Sequence, residues 1–185
     1  MTHDDLTGLF AKNAETVSAV VKPMASLELA MSHAVSVAKD LGGSILAAPG
    51  WEPAALDQLG GLCHEAGLEF QTKNLRQRPN EIAVGFTRAQ YGVAETGTLV
   101  IDSASEDLRL ATMLSQVHVA VLSPYDIHPD MHSLQEALTR RMTRPPSYMA
   151  FITGASRTAD IERVLAIGVH GPVELHILLV GEAAS

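Results

Sequence analysis

The feature of this sequence that most constrains its fold is the alternation of short aliphatic runs with longer stretches of helical periodicity. Runs such as 117–122 and 174–180 are typical of strands that are buried on both faces of a parallel sheet. Between such runs, apolar residues recur every three or four positions, which indicates amphipathic helices. This alternation predicts βαβ units, and therefore an α/β domain with a mostly parallel sheet flanked by helices.

We expect a single domain in which residues 1–43 form a helical N-terminal segment and residues 44–185 form the α/β core. In the N-terminal segment, the apolar pattern predicts one helix from Leu6 to Val21 and a second that ends before Gly42. In the core, further helices are expected at 53–66, 129–142, 106–114 and 158–165, and strands at 44–47, 68–72, 91–94, 98–102, 117–122, 148–153 and 174–180. Ligands of such sheets bind beyond the carboxyl ends of the strands, so the loops that follow strands are the first places to look for a site.

Composition narrows the classes of partner and compartment. The formal charge of −8 does not attract nucleic acid or anionic membranes by bulk electrostatics, so we expect neither as a partner. The first residues lack the basic start and apolar run of a signal peptide, and no apolar stretch approaches the roughly 20 residues that span a bilayer. We therefore expect a cytoplasmic protein.

The single cysteine limits the redox chemistry of the chain. Cys63 alone cannot form an internal disulfide, and an iron–sulfur cluster needs about four thiolates. Its position on the apolar stripe of the helix at 53–66 indicates a small core residue. The sequence also contains neither a dinucleotide-binding fingerprint nor a P-loop, so no cofactor is expected in this chain.

The strongest candidate for a binding site is the segment 153–160, which follows an expected strand and leads into an expected helix. Gly154 allows a tight turn, after which the backbone amides of a helix N-terminus would form an anion site. Ser156 adds a hydroxyl donor, and Arg157 adds a guanidinium that binds phosphate or carboxylate through paired hydrogen bonds. The pattern fits an ordinary helix start equally well. In that case a hydroxyl group caps the helix, and Arg157 pairs with Asp160.

Two further segments supply candidate catalytic residues. Glu95 lies beside Gly97 between two aliphatic strand pieces, and burial there would raise its pKa and suit it to acid–base or nucleophilic chemistry. A single Glu-x-Gly is a weak motif and favours the alternative of a solvated glutamate at a bulge. His170 lies between glycines and could donate a proton or contact a ligand, or belong to a simple turn before the last strand. The residues assigned to binding are Thr96, Gly97, Thr98, Thr153, Gly154, Ser156, Arg157, Thr158 and Asp160, and those assigned to catalysis are Glu95 and His170.

The remaining histidines give a weaker signal. His128 and His132 are four residues apart and Asp126 lies nearby, but Pro129 separates them and the His-Glu-x-x-His motif is missing. We expect a surface pair and no metal site. His118 lies inside an aliphatic run, which indicates a hydrogen-bonded core histidine.

Taken together, four segments resemble the lactate-utilisation protein C family, whose domain is called the LUD domain. The resemblance rests on residues 93–100, 117–121, 151–162 and 168–172. It covers the C-terminal half in detail and the N-terminal half only by element order. Ala155 departs from the family pattern, in which proline is common at that position.

The resemblance implies a fold similar to the group of ribose-5-phosphate isomerase, glucosamine-6-phosphate deaminase and CoA transferase (NagB/RpiA/CoA-transferase-like). It also implies a subunit that takes part in the oxidation of L-lactate to pyruvate together with iron–sulfur partner proteins, and that carries a site for a small carboxylate or phosphate. Two alternatives stay open: a stand-alone CoA-transferase-like or sugar-phosphate-handling enzyme that uses Glu95, and a non-catalytic assembly or regulatory subunit. The oligomeric state also stays open, including a homo-oligomer.

Overall fold

A six-stranded parallel sheet forms the centre of the computed structural model, which describes residues 2–143, 148–159, 165–167 and 171–181. The helices are α1 (His3–Thr16), α2 (Leu27–Asp40), α3 (Pro53–Ala66), α4 (Glu106–Leu114) and α5 (Met131–Met142). The strands are β1 (Ala19–Met24), β2 (Ile45–Ala47), β3 (Glu69–Gln71), β4 (Ile82–Arg88), β5 (Tyr91–Val93), β6 (Thr98–Asp102), β7 (Val117–Leu122), β8 (Ile127–His128), β9 (Met149–Ile152), β10 (Arg157–Ala159), β11 (Leu165–Ile167) and β12 (Glu174–Val180). The order in the parallel sheet is β1-β12-β7-β4-β2-β3, which confirms the predicted α/β class.

Both faces of the central sheet are covered, which explains why its inner strands are aliphatic throughout. One face packs against α2 and α3 around Met31, Leu59 and Phe86. The other face packs against α1 and a second sheet, with Phe10 and Ile177 in the shared core. The second sheet has the order β8-β5-β6-β9, and its β5–β6 and β6–β9 pairs are antiparallel.

The helix that was predicted to reach Val21 is shorter, and its last part is a strand. α1 ends at Thr16, Ser18 turns the chain with a φ of +67°, and β1 then pairs in parallel with β12. β-Branched Val21 suits a strand, and Pro23 is tolerated because β1 is an edge strand that need not donate every ladder hydrogen bond. Pairing with β12 therefore outweighs the helical periodicity of this segment.

Two other regions differ from the prediction. The sequence pattern did not indicate β4, yet this strand lies in the middle of the sheet between β7 and β2. The prediction of a helix at 158–165 is wrong for the described residues. Thr158 and Ala159 belong to β10, which pairs antiparallel with β11. The other predicted helices and strands occur within a few residues of their expected bounds. α3 matches the predicted 53–66, and Gly67, which follows it in the left-handed conformation, caps its C-terminal end.

None of the helices in the described part of the chain is long and apolar enough to cross a membrane.

Candidate functional site

A cleft of about 510 Å³ lies between α4 and β9. Two backbone hydrogen bonds hold the segments around it: Ser103 N–H donates to the carbonyl of Tyr148 (2.7 Å), just before β9, and Val173 N–H donates to the carbonyl of Gln116 (2.8 Å), just beyond the end of α4. The lining residues are Ser103, Arg109, Thr112, Met113, Leu114, Ala150, Phe151, Ile152, Thr153, Gly154, Ser156, Gly171 and Pro172.

A chain of three threonine hydroxyl groups leads into this cleft. The Oγ1 atom of Thr98 lies 2.7 Å from that of Thr96 and 2.7 Å from that of Thr153. Thr98 is buried, and Thr153 lines the cleft. The contact follows from the antiparallel pairing of β6 with β9, which brings the start of β6 beside the end of β9. The two glycine-containing segments singled out in the sequence therefore meet.

Glycine is required in both of these segments because each turn is packed against the C-terminal end of α1 or the residue that follows it. Gly97 has a φ of +63°, and a Cβ atom there would lie 2.2 Å from the backbone nitrogen of Ala14. Gly154 has a φ of +75°, and its Cβ atom would lie 2.2 Å from the carbonyl oxygen of Val17. The left-handed conformation and the close backbone contact both exclude a side chain.

The loop after β9 also contacts the segment before β12. The backbone N–H of Ser156 donates to the carbonyl of Pro172 at 3.0 Å. Gly171 has a φ of +112°, and an added Cβ atom would lie 2.8 Å from the Oγ atom of Ser156. The hydroxyl-bearing side chain of Ser156 is thus placed against a glycine at the wall of the cleft.

Arg109 supplies positive charge to the cleft. Its Nη1 group donates to the carbonyl oxygens of Ser103 (2.6 Å) and Ala104 (3.1 Å), which fixes the guanidinium at the start of α4. The guanidinium carries five N–H donors, so the hydrogens on Nε and Nη2 can serve an anionic ligand. The sequence pattern did not single out Arg109, because nothing in the linear order relates it to the loop after β9.

Part of the cleft wall is apolar. Met113 and Phe151 are 58% and 47% exposed although they are large and hydrophobic, and both line the cleft. Pockets of this size, with an apolar wall and a few fixed polar groups, are typical binding sites for small molecules. The arrangement fits an organic anion whose charged group meets a guanidinium or hydroxyl donors and whose carbon skeleton contacts the apolar wall.

Comparison with known proteins assigns the chain to a family. The LUD domain family matches residues 7–180. The chain belongs to the LUD domain family.

Several curated relatives resemble this LUD domain over about half of its length. Uncharacterized protein YkgG of Escherichia coli is 37% identical over 100 residues, which cover 52% of this chain and 43% of that protein. Lactate utilization protein C of Bacillus subtilis is 31% identical over 109 residues, which cover 57% of this chain and 45% of the relative. An uncharacterized protein of Neisseria meningitidis, NMB1437, is 35% identical over 99 residues, 54% of this chain and 42% of its own length. The matched part is therefore less than half of each of these relatives.

A crystal structure of a DUF162 family protein from Deinococcus radiodurans has the same fold as this LUD domain. The two superpose with a TM-score of 0.68 over 98% of this chain and 99% of the other, at 18% sequence identity. The shared architecture thus extends over nearly the whole LUD domain, including the half in which sequence similarity is weak.

The structure places the predicted binding residues of this LUD domain unequally. Thr153, Gly154 and Ser156 line the cleft. Thr98 reaches it through the hydroxyl of Thr153, whereas Thr96 lies one hydroxyl group further away and Gly97 serves the packing on α1. For Arg157 and Thr158 the structure describes the backbone strand β10 and not the side chains, and Asp160 lies outside the described residues.

Of the two predicted catalytic residues, the structure describes Glu95 alone. Glu95 is exposed and outside the cleft lining, so the burial that would have activated its carboxylate does not occur. Its backbone is fixed instead: the N–H donates to the carbonyl of Pro129 (2.9 Å), and the carbonyl accepts from the side chain of Asn13 (3.1 Å). His170 lies outside the described residues.

The expected helix N-terminus behind the anion site is also corrected. β10 follows the loop, so its backbone N–H groups enter a strand pair and do not converge on a ligand as helix-terminal amides would. The loop lies beside Val17 and Pro172, which precede β1 and β12, and is therefore at the amino ends of parallel strands. The rule that ligands bind beyond the carboxyl ends of parallel strands does not apply to this loop, because the preceding strand β9 belongs to the antiparallel sheet.

Of the histidines singled out in the sequence, His118 is the core residue that was predicted, whereas only His132 of the pair His128 and His132 is exposed. His118 is fully buried, its Nε2 atom lies 2.8 Å from Oγ1 of Thr87, and burial lowers its pKa to about 4, which confirms a core histidine. His128 belongs to β8 and contacts the ring of Tyr91 edge-on, whereas His132 is exposed in α5. Among the residues that the structure describes, no group of three or more metal-binding side chains occurs.

Cys63 is a core residue in this structure. Its side chain is fully buried, and burial raises the pKa of the thiol to about 11. A thiol with such a pKa is protonated at neutral pH, so this environment does not activate Cys63 as a nucleophile.

Proposed function

We propose that this LUD domain takes part in lactate utilisation and that the α4–β9 cleft binds a small organic carboxylate in that role. Relatives from Bacillus subtilis and Halalkalibacterium halodurans are called Lactate utilization protein C and are 31% and 32% identical to the matched part of this chain. The chain spans less than half of the length of those relatives. Their name therefore supports a cellular role in lactate utilisation, whereas the proposed ligand is argued from the residues of the cleft.

The observation that carries the site assignment is the meeting of a guanidinium, several hydroxyl groups and an apolar wall in one cleft. Arg109 is fixed by two carbonyl hydrogen bonds, so it is already oriented when a ligand arrives. A carboxylate accepts hydrogen bonds from the guanidinium, and a hydroxyl or keto oxygen on the neighbouring carbon fits donors such as Ser156 or Thr153. A methyl group would contact Met113 or Phe151. L-Lactate and pyruvate have these three features.

The proposal includes partner proteins for any redox step. Oxidation of L-lactate to pyruvate removes two electrons and two protons, and the chain's one thiol, Cys63, is buried. An electron acceptor must therefore come from elsewhere, and iron–sulfur partner proteins are the acceptors that we propose. In this account the LUD domain holds the carboxylate substrate or product while the partners carry the electrons.

Binding can be tested by calorimetric titration of the purified chain with L-lactate, pyruvate and inorganic phosphate. We expect saturable binding of at least one carboxylate and a loss of about tenfold or more in affinity for Arg109→Gln, because a charged hydrogen-bond donor is removed. Arg76→Gln is the matched control, since Arg76 is exposed and its ion pair with Glu106 (2.8 Å) lies outside the cleft lining. Equal affinities of the wild type and Arg109→Gln would contradict the site assignment.

The cellular role can be tested separately in the source organism. Deletion of the gene should slow growth on L-lactate as the sole carbon source and leave growth on succinate unchanged. The wild-type gene should restore growth on L-lactate, and the Arg109→Gln gene should not, provided that both proteins accumulate equally. Undiminished growth of the deletion strain on L-lactate would contradict the role in lactate utilisation.

A further inference from the structure

The central sheet changes the direction of its connections between β2 and β4. The chain leaves the carboxyl end of β2 through α3 and reaches β3 at one edge, whereas from β4 it leads through β5, β6 and α4 to β7 on the other side. Where the connections from two neighbouring parallel strands run in opposite directions, a crevice forms outside the carboxyl ends of the strands. α/β sheets bind ligands in such crevices. This position is independent of the α4–β9 cleft.

The structure has a second cleft, of about 390 Å³, at this position. Pro49 and Gly50 follow β2, and Ala89 and Gln90 follow β4, so the residues directly beyond both strands form part of its wall. The remaining lining residues are Arg88, Tyr91, Leu108, Asp126 and Arg141. We refer to it as the switch-point cleft.

Arg88 is held over an aromatic platform at the edge of the switch-point cleft. Its guanidinium carbon lies 4.8 Å from the ring centre of Trp51, which is a cation–π contact. Trp51 is itself fixed, because its ring stacks on Phe86 at 4.8 Å and its Nε1–H donates to the carbonyl of Phe86 at 3.0 Å. Among the described residues, no carboxylate lies within 4.0 Å of the Arg88 side chain. Its planar donors are oriented and not neutralised by an ion pair in that part of the chain.

The other charged residues that line the switch-point cleft are Arg141 and Asp126. Arg141 pairs with Asp102 at 3.2 Å, and Asp126 lies at the rim. Partial desolvation raises the pKa of Asp126, and the positive charges of His128 and Arg88 oppose this rise. With Arg141 paired with Asp102, and the Asp126 carboxylate adding negative charge, Arg88 is the one cleft arginine without an ion pair among the described residues. The cleft therefore suits an anion with one charge better than a doubly charged phosphate.

We infer that the switch-point cleft binds the carboxylate of a small organic acid on Arg88, and that Asp126 accepts a hydrogen bond from a hydroxyl group of the same molecule. A carboxylate matches the planar guanidinium through two parallel hydrogen bonds. The Gln90 side-chain carbonyl already accepts from the backbone N–H of Asp102, which keeps the wall next to Arg88 in place. This inference does not depend on the proposed function of the α4–β9 cleft.

Trp51 provides a direct readout because it is the only tryptophan in the chain. Its fluorescence is to be followed during titrations with propionate, L-lactate and inorganic phosphate at constant ionic strength and pH. We expect a saturable change with both carboxylates, tighter binding of L-lactate than of propionate because only lactate has the hydroxyl, and weaker binding of phosphate.

Variants assign the signal to this cleft. Arg88→Gln should weaken carboxylate binding by about tenfold or more in calorimetry. Arg140→Gln, which removes an exposed arginine paired with Glu136 on α5, should leave binding unchanged. Asp126→Asn should remove most of the difference between L-lactate and propionate. Should Arg88→Gln fail to fold by circular dichroism, the Asp126→Asn comparison and Arg88→Lys, which keeps the charge but loses the planar donor pair, carry the same test.

The inference is overturned if no carboxylate changes Trp51 fluorescence saturably, or if Arg88→Gln binds as the wild type does. Tighter binding of phosphate than of both carboxylates would overturn the assignment to a singly charged anion. The test also separates the two clefts, since binding that is lost in Arg109→Gln but retained in Arg88→Gln, without a change in Trp51 fluorescence, belongs to the α4–β9 cleft.

Discussion

His118 is fully buried in the middle of the central sheet, and only one of its ring nitrogens has a hydrogen-bond partner. Nε2 contacts the hydroxyl of Thr87, whereas Nδ1 has no partner within the described residues. Protonation would place an uncompensated charge in the core, and burial therefore lowers the pKa of His118 from its ordinary value of 6.5 to about 4. The neutral imidazole is part of the packed interior.

This burial predicts a loss of stability in mild acid. Between pH 6.5 and 4 the unfolded chain binds the proton and the folded chain does not, so the free energy of unfolding falls as the pH decreases through this window. At pH 5 the contribution of His118 to this loss is about 2 kcal/mol relative to pH 7.5. The double variant Thr87→Val, His118→Leu should lose less stability than the wild type over this range by that amount, measured by urea unfolding at both pH values. Equal losses in the two proteins would show that His118 does not titrate in this way.

Gly97 can be tested against a glycine that has the same backbone conformation but no close neighbour. Gly97 and Gly42 have φ values of +63° and +61°, but only at Gly97 would a Cβ atom meet backbone, the nitrogen of Ala14 at 2.2 Å. Gly42→Ala should cost about 1 kcal/mol from backbone strain. Gly97→Ala should cost about 2 kcal/mol more, because the turn must move away from α1. The free energies of unfolding in urea give both values, and equal costs would contradict the packing of this turn on α1.

Sequence reasoning found some of the site residues and missed others for identifiable reasons. Gly154 and Ser156 were found because a glycine and a hydroxyl group after an apolar run are visible in the linear order. Arg109 was missed because its role depends on the carbonyl groups of Ser103 and Ala104 and on the approach of β9, which is more than 35 residues away in the sequence. For Glu95 the weak Glu-x-Gly motif favoured a solvated glutamate over a buried catalytic one, and the side chain is exposed.

At the scale of the elements, the position of α4 depends on a glycine in β4. A Cβ atom on Gly85 would lie 2.0 Å from the carbonyl oxygen of Ala111, so the helix backbone rests directly on the strand. α4 forms one wall of the α4–β9 cleft, and its distance from the sheet therefore affects the shape of that cleft.

Gly85→Ala should displace α4 and lower both stability and carboxylate affinity. We expect a loss of about 2 kcal/mol or more in the free energy of unfolding, because neither the strand nor the helix backbone can give way cheaply. Gly61→Ala in α3 is the control, since nothing lies within 4 Å of the added Cβ atom and alanine favours the helix by up to about 1 kcal/mol. Thermal unfolding and calorimetric titration with L-lactate measure the two effects. A Gly85→Ala protein as stable as the wild type would contradict the close contact of α4 with β4.

The elements that the sequence predicted are those whose own residues carry the signal. β7 and β12 are continuous aliphatic runs, and α3 begins with Pro53 and ends at Gly67. β1 was assigned to a helix because its valines extend the helical period of α1, and only its pairing with β12 makes it a strand. β4 gave no clear signal because Gly85 and Thr87 interrupt its apolar run. The misassigned strand β1 and the missed strand β4 both depend on partners that are distant in the sequence.

At the scale of the whole molecule, α4 lies between the two clefts. Leu108 lines the switch-point cleft and its neighbour Arg109 lines the α4–β9 cleft. Arg141, which forms a salt bridge with Asp102, lines the switch-point cleft, and Ser103, which follows Asp102 in the chain, lines the α4–β9 cleft. The fold thus presents two arginines, Arg88 and Arg109, in separate clefts of one domain.

The most direct test of the central claim is the amide spectrum of isotopically labelled protein during titration with L-lactate. We predict chemical-shift changes that saturate with the ligand at Arg109, Thr153, Gly154 and Ser156, and that disappear in Arg109→Gln while the rest of the spectrum shows an intact fold. A saturable response that is absent from these four residues, or that persists in Arg109→Gln, would contradict the assignment of the α4–β9 cleft as the carboxylate site of this LUD domain.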